Sequence, residues 1–357
     1  MNINSKIYVA GHTGLVGSNI FNKLKQLGYK NIITVDFKTL DLRNQQDTEN
    51  FFKINKPEYV FLAAARVGGI LANSTYKAEF IYDNLMISTN IIHASYKYGV
   101  KKLINLGSSC IYPKLALQPL KEEYLLSGYL ESTNEPYAIA KIAAIKLCRY
   151  YNEQYGTNFI SVMPTNLYGP NDNFNLEKGH VLPVFIRKFY LAKLLQEKKF
   201  SIISKNLNIN LKNINDITLE LSKHNIYADK VILWGTGEPY REFLHVQDLV
   251  DALIFLMQTC EYKDIGEIIN IGTGQDLKIS ELANMVKEIV GFDGQISFDN
   301  LRPDGTPRKI LDISRIKKFG WKPRILLENG IKQIYKNYTK SGFQYPGLGV
   351  FVIPDCD

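Results

Sequence analysis

The sequence predicts an α/β chain built on a doubly wound parallel sheet, with a smaller lobe after about residue 170. Three observations carry this. Ile7-Tyr-Val-Ala10 is a short apolar strand that runs straight into Gly11-His-Thr-Gly14-Leu-Val-Gly17, then into a helical pattern with Val16, Ile20 and Leu24 on one face. Apolar runs of strand length then alternate with long helical stretches, as crossover-linked parallel strands require. After Gly179 the elements shorten, and basic and aromatic segments replace the alternation.

Composition sets bounds. A chain of 357 residues accommodates one large α/β domain or two lobes. The net charge of +8 suits anionic ligands. Lysine and arginine are spread along the chain with no basic block interleaved with aromatics, so nucleic acid is not expected as a partner. No stretch approaches the roughly 20 apolar residues of a membrane span, and no membrane association is expected. Met1-Asn-Ile-Asn-Ser-Lys6 leads directly into an apolar strand pattern, and no signal peptide is expected. Cys110, Cys148, Cys260 and Cys356 lack metal-ligand spacing, so the expectation is reduced thiols, a cytoplasmic location and no metal.

The glycine loop comes first in chain order. Gly11 allows a tight turn, Gly14 lets backbone N–H groups approach a pyrophosphate, and Gly17 permits close helix packing. Thr13, Leu15 and Val16 complete that loop and open the helix. The spacing is Gly-x-x-Gly-x-x-Gly, and its place between strand and helix makes it a dinucleotide site of Rossmann type. The strand expected over Asn31–Asp36 ends in an acid 19 positions after Gly17. An acid there binds the adenosine ribose and points to NAD(H), whereas Lys38 two residues on suits the 2′-phosphate of NADP(H). Both cofactors stay open at this point. Asp41 and Leu42 are expected near the adenine. A third strand over Tyr59–Ala65 brings the small residues Ala63 and Ala64 close to the cofactor.

Helices are expected from Ile81 to Tyr98 and from Tyr137 to Tyr155, and such a pair suits a homodimer bundle as well as burial within one chain. Tyr137 and Lys141 are four apart and share a helix face, with Pro136 in the opening turn. A phenol titrates near ~10, and a fixed cation beside it lowers that value. Upstream, Leu103, Ile104 and Leu106 form an apolar strand running out into Gly107-Ser-Ser-Cys110. On an extended chain Ser108 and Cys110 face one way and Ser109 the other. A further strand, Phe159–Met163, leads into Pro164-Thr-Asn-Leu-Tyr-Gly-Pro170.

Residues 1–170 are read as the dinucleotide-binding domain, with about 240–275 returning to it. Residues 171–340 are read as the substrate lobe and 341–357 as a tail. About 195–230 is rich in Lys, Asn and Ile and is expected as a partly helical surface insertion. Val231–Gly237, Arg241–Val246 and Arg302–Lys309 are basic and aromatic segments suited to a nucleoside diphosphate.

These residues are recognisable together. Ala63-Ala-Ala-Arg-Val-Gly-Gly-Ile70, Leu106-Gly-Ser-Ser-Cys-Ile-Tyr-Pro-Lys114, Thr133-Asn-Glu-Pro-Tyr-Ala-Ile-Ala-Lys141, Met163-Pro-Thr-Asn-Leu-Tyr-Gly-Pro170, Arg241-Glu-Phe-Leu-His-Val246 and Pro303-Asp-Gly-Thr-Pro-Arg-Lys309 make the chain resemble the extended short-chain dehydrogenase/reductases. Within that family the match is to the branch that epimerises and reduces GDP-4-keto-6-deoxy sugars. The resemblance covers nearly the whole chain apart from the insertion and the tail. It implies an NADP-dependent oxidoreductase converting GDP-4-keto-6-deoxymannose, or a close relative, into GDP-L-fucose or a related GDP-deoxy sugar. A 4-reductase on a hexose or heptose without epimerase activity is the nearest alternative, and a non-catalytic dinucleotide sensor a remote one.

The resemblance also implies roles. Ser108, Tyr137 and Lys141 would form the catalytic triad of reduction, with Cys110 the base and His180 the acid of epimerisation. A nearby cation, the cofactor or Lys141, would favour the Cys110 thiolate. Pro164, Asn166, Leu167, Tyr137, Lys141 and His180 would join the cofactor contacts. Arg187, Lys188, Trp234, Arg241, Asp304 and Lys309 would bind the GDP-sugar. Thr13 and Lys188 depart from the arginines that relatives often carry at these places.

Overall fold

The computed structural model describes residues 1–209, 213–302 and 304–340. Its frame is a six-stranded parallel sheet of β1 (Lys6–Ala10), β2 (Asn31–Ile33), β3 (Tyr59–Leu62), β4 (Lys102–Leu106), β5 (Phe159–Pro164) and β9 (Ile268–Ile271), in the order β2-β1-β3-β4-β5-β9. Ile7 pairs in register with Ile32 on one side and Tyr59 on the other. The strand order reverses at β1, and a crevice at such a switch point, beyond the carboxyl ends of the strands, is where doubly wound sheets bind ligands. Helices cover both faces, so β4 and β5 are buried along their whole length, and both are mainly apolar, with Lys102, Asn105 and Ser161 as the buried polar exceptions.

α1 (Leu15–Gln26) follows β1, α2 (Gln45–Asn55) follows β2, and α3 (Ile70–Thr75) and α4 (Lys77–Lys97) follow β3. α5 (Glu135–Tyr155) packs along α4. One core lies between the sheet, α1 and α9 (Val246–Thr259), and includes Ile7, Ile20, Ile104 and Leu253. The other lies on the opposite face, with Phe52, Val60, Ile91 and Ala144.

A third core belongs to the second half of the chain. β6 (Asn166–Tyr168), β10 (Asp276–Lys278) and β12 (Arg308–Lys309) all pair with β8 (Tyr240–His245), and β7 (Lys230–Trp234) pairs with β11 (Gln295–Asp299). Around these pack α6 (Val181–Gln196), α7 (Phe200–Leu207) and α8 (Ile214–Lys223).

Several expectations are corrected. The expected strands over 31–36 and 59–65 stop at Ile33 and Leu62. The helix expected from Ile81 starts earlier, at Lys77. Ser108 and Cys110 do not alternate on an extended strand. β4 ends at Leu106, and Ser109–Ile111 is a 3₁₀ turn capped by Ser108, whose Oγ accepts the Cys110 N–H at 3.2 Å. A serine ahead of a tight turn satisfies its open N–H groups, and that local bond outweighs continuation of the strand. The described part of the stretch expected as a surface insertion is not merely superficial. Ile203, Ile217, Leu221 and Ile226 are fully or almost fully buried in the third core, because α7 and α8 each carry an apolar face that must be covered. Residues 210–212 of that stretch, Pro303, Cys356 and the tail 341–357 lie outside the described residues.

Candidate active site

The glycine loop forms a cradle at the switch point. Gly11 sits at φ +82°, and a Cβ there would come within 2.7 Å of the Ala64 backbone nitrogen. A Cβ on Gly17 would lie 2.1 Å from the Gly11 oxygen. Gly14 caps α1 without a side-chain bond, and a Cβ on it would meet only the Gly11 oxygen, at 3.5 Å. Loop and strand end are therefore packed tightly behind, while the Gly14 side stays open above the N–H groups of Leu15, Val16 and Gly17. That shape fits a dinucleotide pyrophosphate. Thr13 stands in the same loop.

At the adenosine end, Asp36 is exposed and lies 3.4 Å from His12 Nε2. Lys38 is exposed beyond it. Asp41 is engaged by Arg43, which donates from Nε and Nη2 at 2.8–3.1 Å. Burial raises the Asp41 pKa, but the Arg43 bonds outweigh it and hold the carboxyl below its ordinary value. Arg43, which the sequence reading missed, is itself fixed by Asp83 at 3.0 Å. Leu42 lies beside it, partly buried against the core that holds Phe52.

The residues expected to be catalytic lie on the end of β4, on α5 and at the start of α6, with β8 and β12 beside them. α5 begins at Glu135 with Pro136 in its first turn, so Tyr137 and Lys141 stand one turn apart. Lys141 is buried, donates to the Leu106 carbonyl at 2.7 Å and lies 5.7 Å from the Tyr137 ring centroid. Burial lowers its pKa to about 8. The Tyr137 phenol is raised, first by burial and then by Cys110, with hydrogen bonding to Ser108 pulling it partly back. The expectation that Lys141 lowers this pKa is not met: burial dominates, and Ser108 rather than Lys141 is the group that lowers it.

Cys110 has a different environment. Its sulfur is 3.5 Å from Lys309 Nζ and 3.4 Å from Asn134 Nδ2. Burial raises the thiol, but Lys309, the Ser108 hydrogen bond and Arg241 together bring it below its ordinary value. The cation beside the sulfur is thus Lys309 rather than Lys141. β12 sets this contact, since Lys309 pairs in register with Arg241 on β8. His180 caps α6 and is half-exposed, with Nδ1 3.7 Å from the Asp172 carboxylate. Burial lowers its pKa, and Asp172 and Cys110 more than reverse that. The thiol is thus lowered and the imidazole raised from their ordinary values.

The other predicted residues are placed as follows. Pro164 ends β5, and Asn166 on β6 donates from Nδ2 to the Glu242 carbonyl at 2.8 Å, with Leu167 packed against the first core. Ala63 follows β3 with Ala64. Trp234 is half-exposed, with the Arg302 guanidinium 5.0 Å over its ring. Asp304 accepts from the Thr236 N–H at 3.0 Å and its hydroxyl at 2.7 Å. That fixes the turn after Trp234. Arg187 donates to Asn206 Oδ1, the Asn206 carbonyl and the Phe174 carbonyl at 2.8–3.1 Å. These bonds engage all three guanidinium nitrogens, so the structure does not bring Arg187 to the site as a free fork. Lys188 is buried, with a 3.4 Å contact to the Ile232 carbonyl, and burial lowers its pKa to about 8. Asn134 and Asp172 were missed. Asn134 lies three positions before Tyr137, a spacing that could have drawn attention to it; Asp172 offers no such signal. Among the described residues no group of three or more His, Cys, Asp or Glu side chains could hold a metal ion.

A glycine cradle at the switch point, with a Tyr–Lys pair one turn apart and a serine beside them, defines a dinucleotide-binding enzyme of Rossmann type. Comparison agrees: residues 7–272 match the NAD dependent epimerase/dehydratase family, and the chain belongs to it. It is 50% identical to GDP-L-fucose synthase 1 of Arabidopsis thaliana, over 94% of each chain. A solved GDP-6-OMe-4-keto-L-xylo-heptose reductase from C. jejuni is 45% identical with a TM-score of 0.92, over 96% of this chain and 99% of that one. A GDP-mannoheptose C4 reductase from Campylobacter jejuni with NADP bound is also 45% identical, TM-score 0.87, over 95% and 99%.

Proposed function

We propose that this chain is an NADPH-dependent 3,5-epimerase/4-reductase of a GDP-4-keto-6-deoxy sugar, forming GDP-L-fucose or a close GDP-deoxy sugar. The observation that carries the epimerase half is the Cys110 thiol held against Lys309 and Asn134, in the same turn as Ser108. The 4-keto group acidifies the hydrogens at C3 and C5. Cys110, as thiolate, removes a proton from one face, and His180 returns one from the other. Tyr137 and Ser108 donate to O4 and hold the enolate charge there. NADPH, when bound, supplies the hydride that reduces C4. Tyr137 then protonates O4. Lys141, buried beneath, holds the phenol and reaches the ribose side of the cradle. Arg241 and Lys309 provide positive charge for the diphosphate, and Trp234 an apolar face for the base.

A second reading, 4-reduction alone on a GDP-heptose, is favoured by the two Campylobacter reductases at 45% identity. Deuterium wash-in decides between them. With the 4-keto substrate in D₂O and no NADPH, the epimerase exchanges deuterium into C3 and C5, because exchange needs the enolate and no hydride. Cys110→Ser abolishes that exchange while a pre-epimerised keto sugar is still reduced. Absence of wash-in during NADPH turnover by the wild type rejects epimerisation.

The same reading makes the protein a cytoplasmic homodimer. Exposed Tyr82, Tyr96, Tyr150 and Tyr155 lie along α4 and α5, which supports a face covered by a second copy. The free thiols Cys110, Cys148 and Cys260 support a reducing compartment. Among the described residues no helix is long and apolar enough to cross a membrane.

A further inference from the structure

His180 is not held by its own helix but by the loop in front of it. Asp172 is 4% exposed, and its Oδ1 lies 3.7 Å from His180 Nδ1. Its Oδ2 is buried with no hydrogen-bond partner among the described residues. A buried carboxylate oxygen left without a donor is costly, and such an arrangement needs a reason. The loop is pinned to the glycine-loop helix α1 on the N-terminal side of Asp172. Asn171, at φ +69°, donates to Ser18 Oγ at 3.1 Å, and Asn19 donates to the Pro170 carbonyl at 3.0 Å. Gly179, just before His180, is packed so closely that a Cβ would lie 2.6 Å from the carbonyl oxygens of Asn173 and Asn175.

We propose that Asp172 is a positioning residue that orients the His180 ring toward the face opposite Cys110 by pairing with its Nδ1–H. This rests on the reading of His180 as the proton donor of epimerisation. The Nδ1 pairing leaves Nε2 as the nitrogen that delivers the proton. The titratable groups acting on the ring are Asp172 from its own loop and Cys110 from the turn after β4. The bland role for Asp172 is to cap its own turn, since Oδ1 also accepts the Asn173 N–H at 2.7 Å. Asp172→Asn separates capping from charge, because an amide oxygen still accepts that N–H but no longer stabilises the protonated ring.

The test measures C3 and C5 deuterium wash-in against pH, together with the titration of His180 by NMR on the ¹⁵N-labelled full chain. The chain has five histidines, and the signal missing in His180→Asn assigns the ring. In Asp172→Asn, wash-in falls about tenfold, a part of the 10²–10⁴ that a general acid contributes. Its alkaline limb and the His180 midpoint both move to lower pH, while reduction of a pre-epimerised sugar is unchanged. Asp172→Glu restores the midpoint. If His180→Asn leaves wash-in unchanged, the proton-donor reading fails and this inference with it. If His180→Asn slows wash-in but Asp172→Asn moves neither rate nor midpoint, the donor stands and the positioning role is overturned. Should Asp172→Asn fail to fold, the wild-type midpoint decides: above the free imidazole value of ~6.5 supports the pairing, at or below it overturns it.

Discussion

The Lys309 ammonium stands 3.5 Å from the Cys110 sulfur, across 199 positions of sequence. Lys309 lies on a two-residue strand whose register with β8 also sets Arg241 beside it. Both cations act on the thiol. Lys309→Met should therefore raise the Cys110 pKa and move the acidic limb of wash-in to higher pH. On that limb exchange should fall about tenfold for each unit by which the thiol pKa rises, and recover in alkali. Thiolate absorbance against pH checks this directly. An unshifted thiol would remove Lys309 from its role as the base's counter-ion.

Tyr137→Phe keeps the ring packed against Phe80 and removes only the hydroxyl. Reduction should drop by about 10²–10⁴ with little change in GDP-sugar affinity. Steady-state NADPH oxidation and calorimetric binding are the measurements. Wild-type turnover in this variant would refute the proton-donor assignment.

Lys38 is exposed at the adenosine end, and Asp36 is partnered by His12. NADPH should outperform NADH, with a margin of about 1–3 kcal/mol, the range of a hydrogen bond to a charged group. Lys38→Ala should weaken NADPH and leave NADH nearly untouched. A tenfold preference of the wild type for NADH would contradict the preference.

Lys102, Lys141 and Lys188 are buried, and burial lowers each to about 8. In the unfolded chain a lysine titrates near ~10.4. Above about pH 8 the unfolded state therefore binds more protons than the folded one, so stability rises with pH. The rise is on the order of 1 kcal/mol per pH unit for each lysine. Cys148, pushed up to about 12 by burial, opposes it once an unfolded thiol begins to ionise, which makes pH 8 to 9 the clearest window. Urea unfolding should show wild-type stability increasing across that window and Lys141→Met increasing less. A decrease in the wild type, or equal slopes, would mean that Lys141 is not a desolvated ammonium.

What the sequence by itself determined is what short-range geometry encodes. Strand, glycine loop and helix follow one another within Lys6–Gln26, and the strand-to-helix order alone implies the cradle. Tyr137 and Lys141 stand one turn apart because a helix repeats every 3.6 residues. The buried β4 and β5 are legible from their mainly apolar residues, Leu103, Ile104 and Leu106 in one and Phe159, Ile160, Val162 and Met163 in the other.

The tertiary structure decided the rest. The turn at Ser108 replaced an extended strand because a side-chain bond to the Cys110 N–H was available. Arg187 faces Asn206 rather than the cleft because α7 packs its apolar side into the third core and carries that amide with it. Lys309 reaches Cys110, and Asp172 reaches His180, through strand register and loop packing that no spacing announces. Periodicity reports which face of an element is buried. The partner a charge finds depends on how separate elements dock, and that is settled by core packing between residues far apart in the chain.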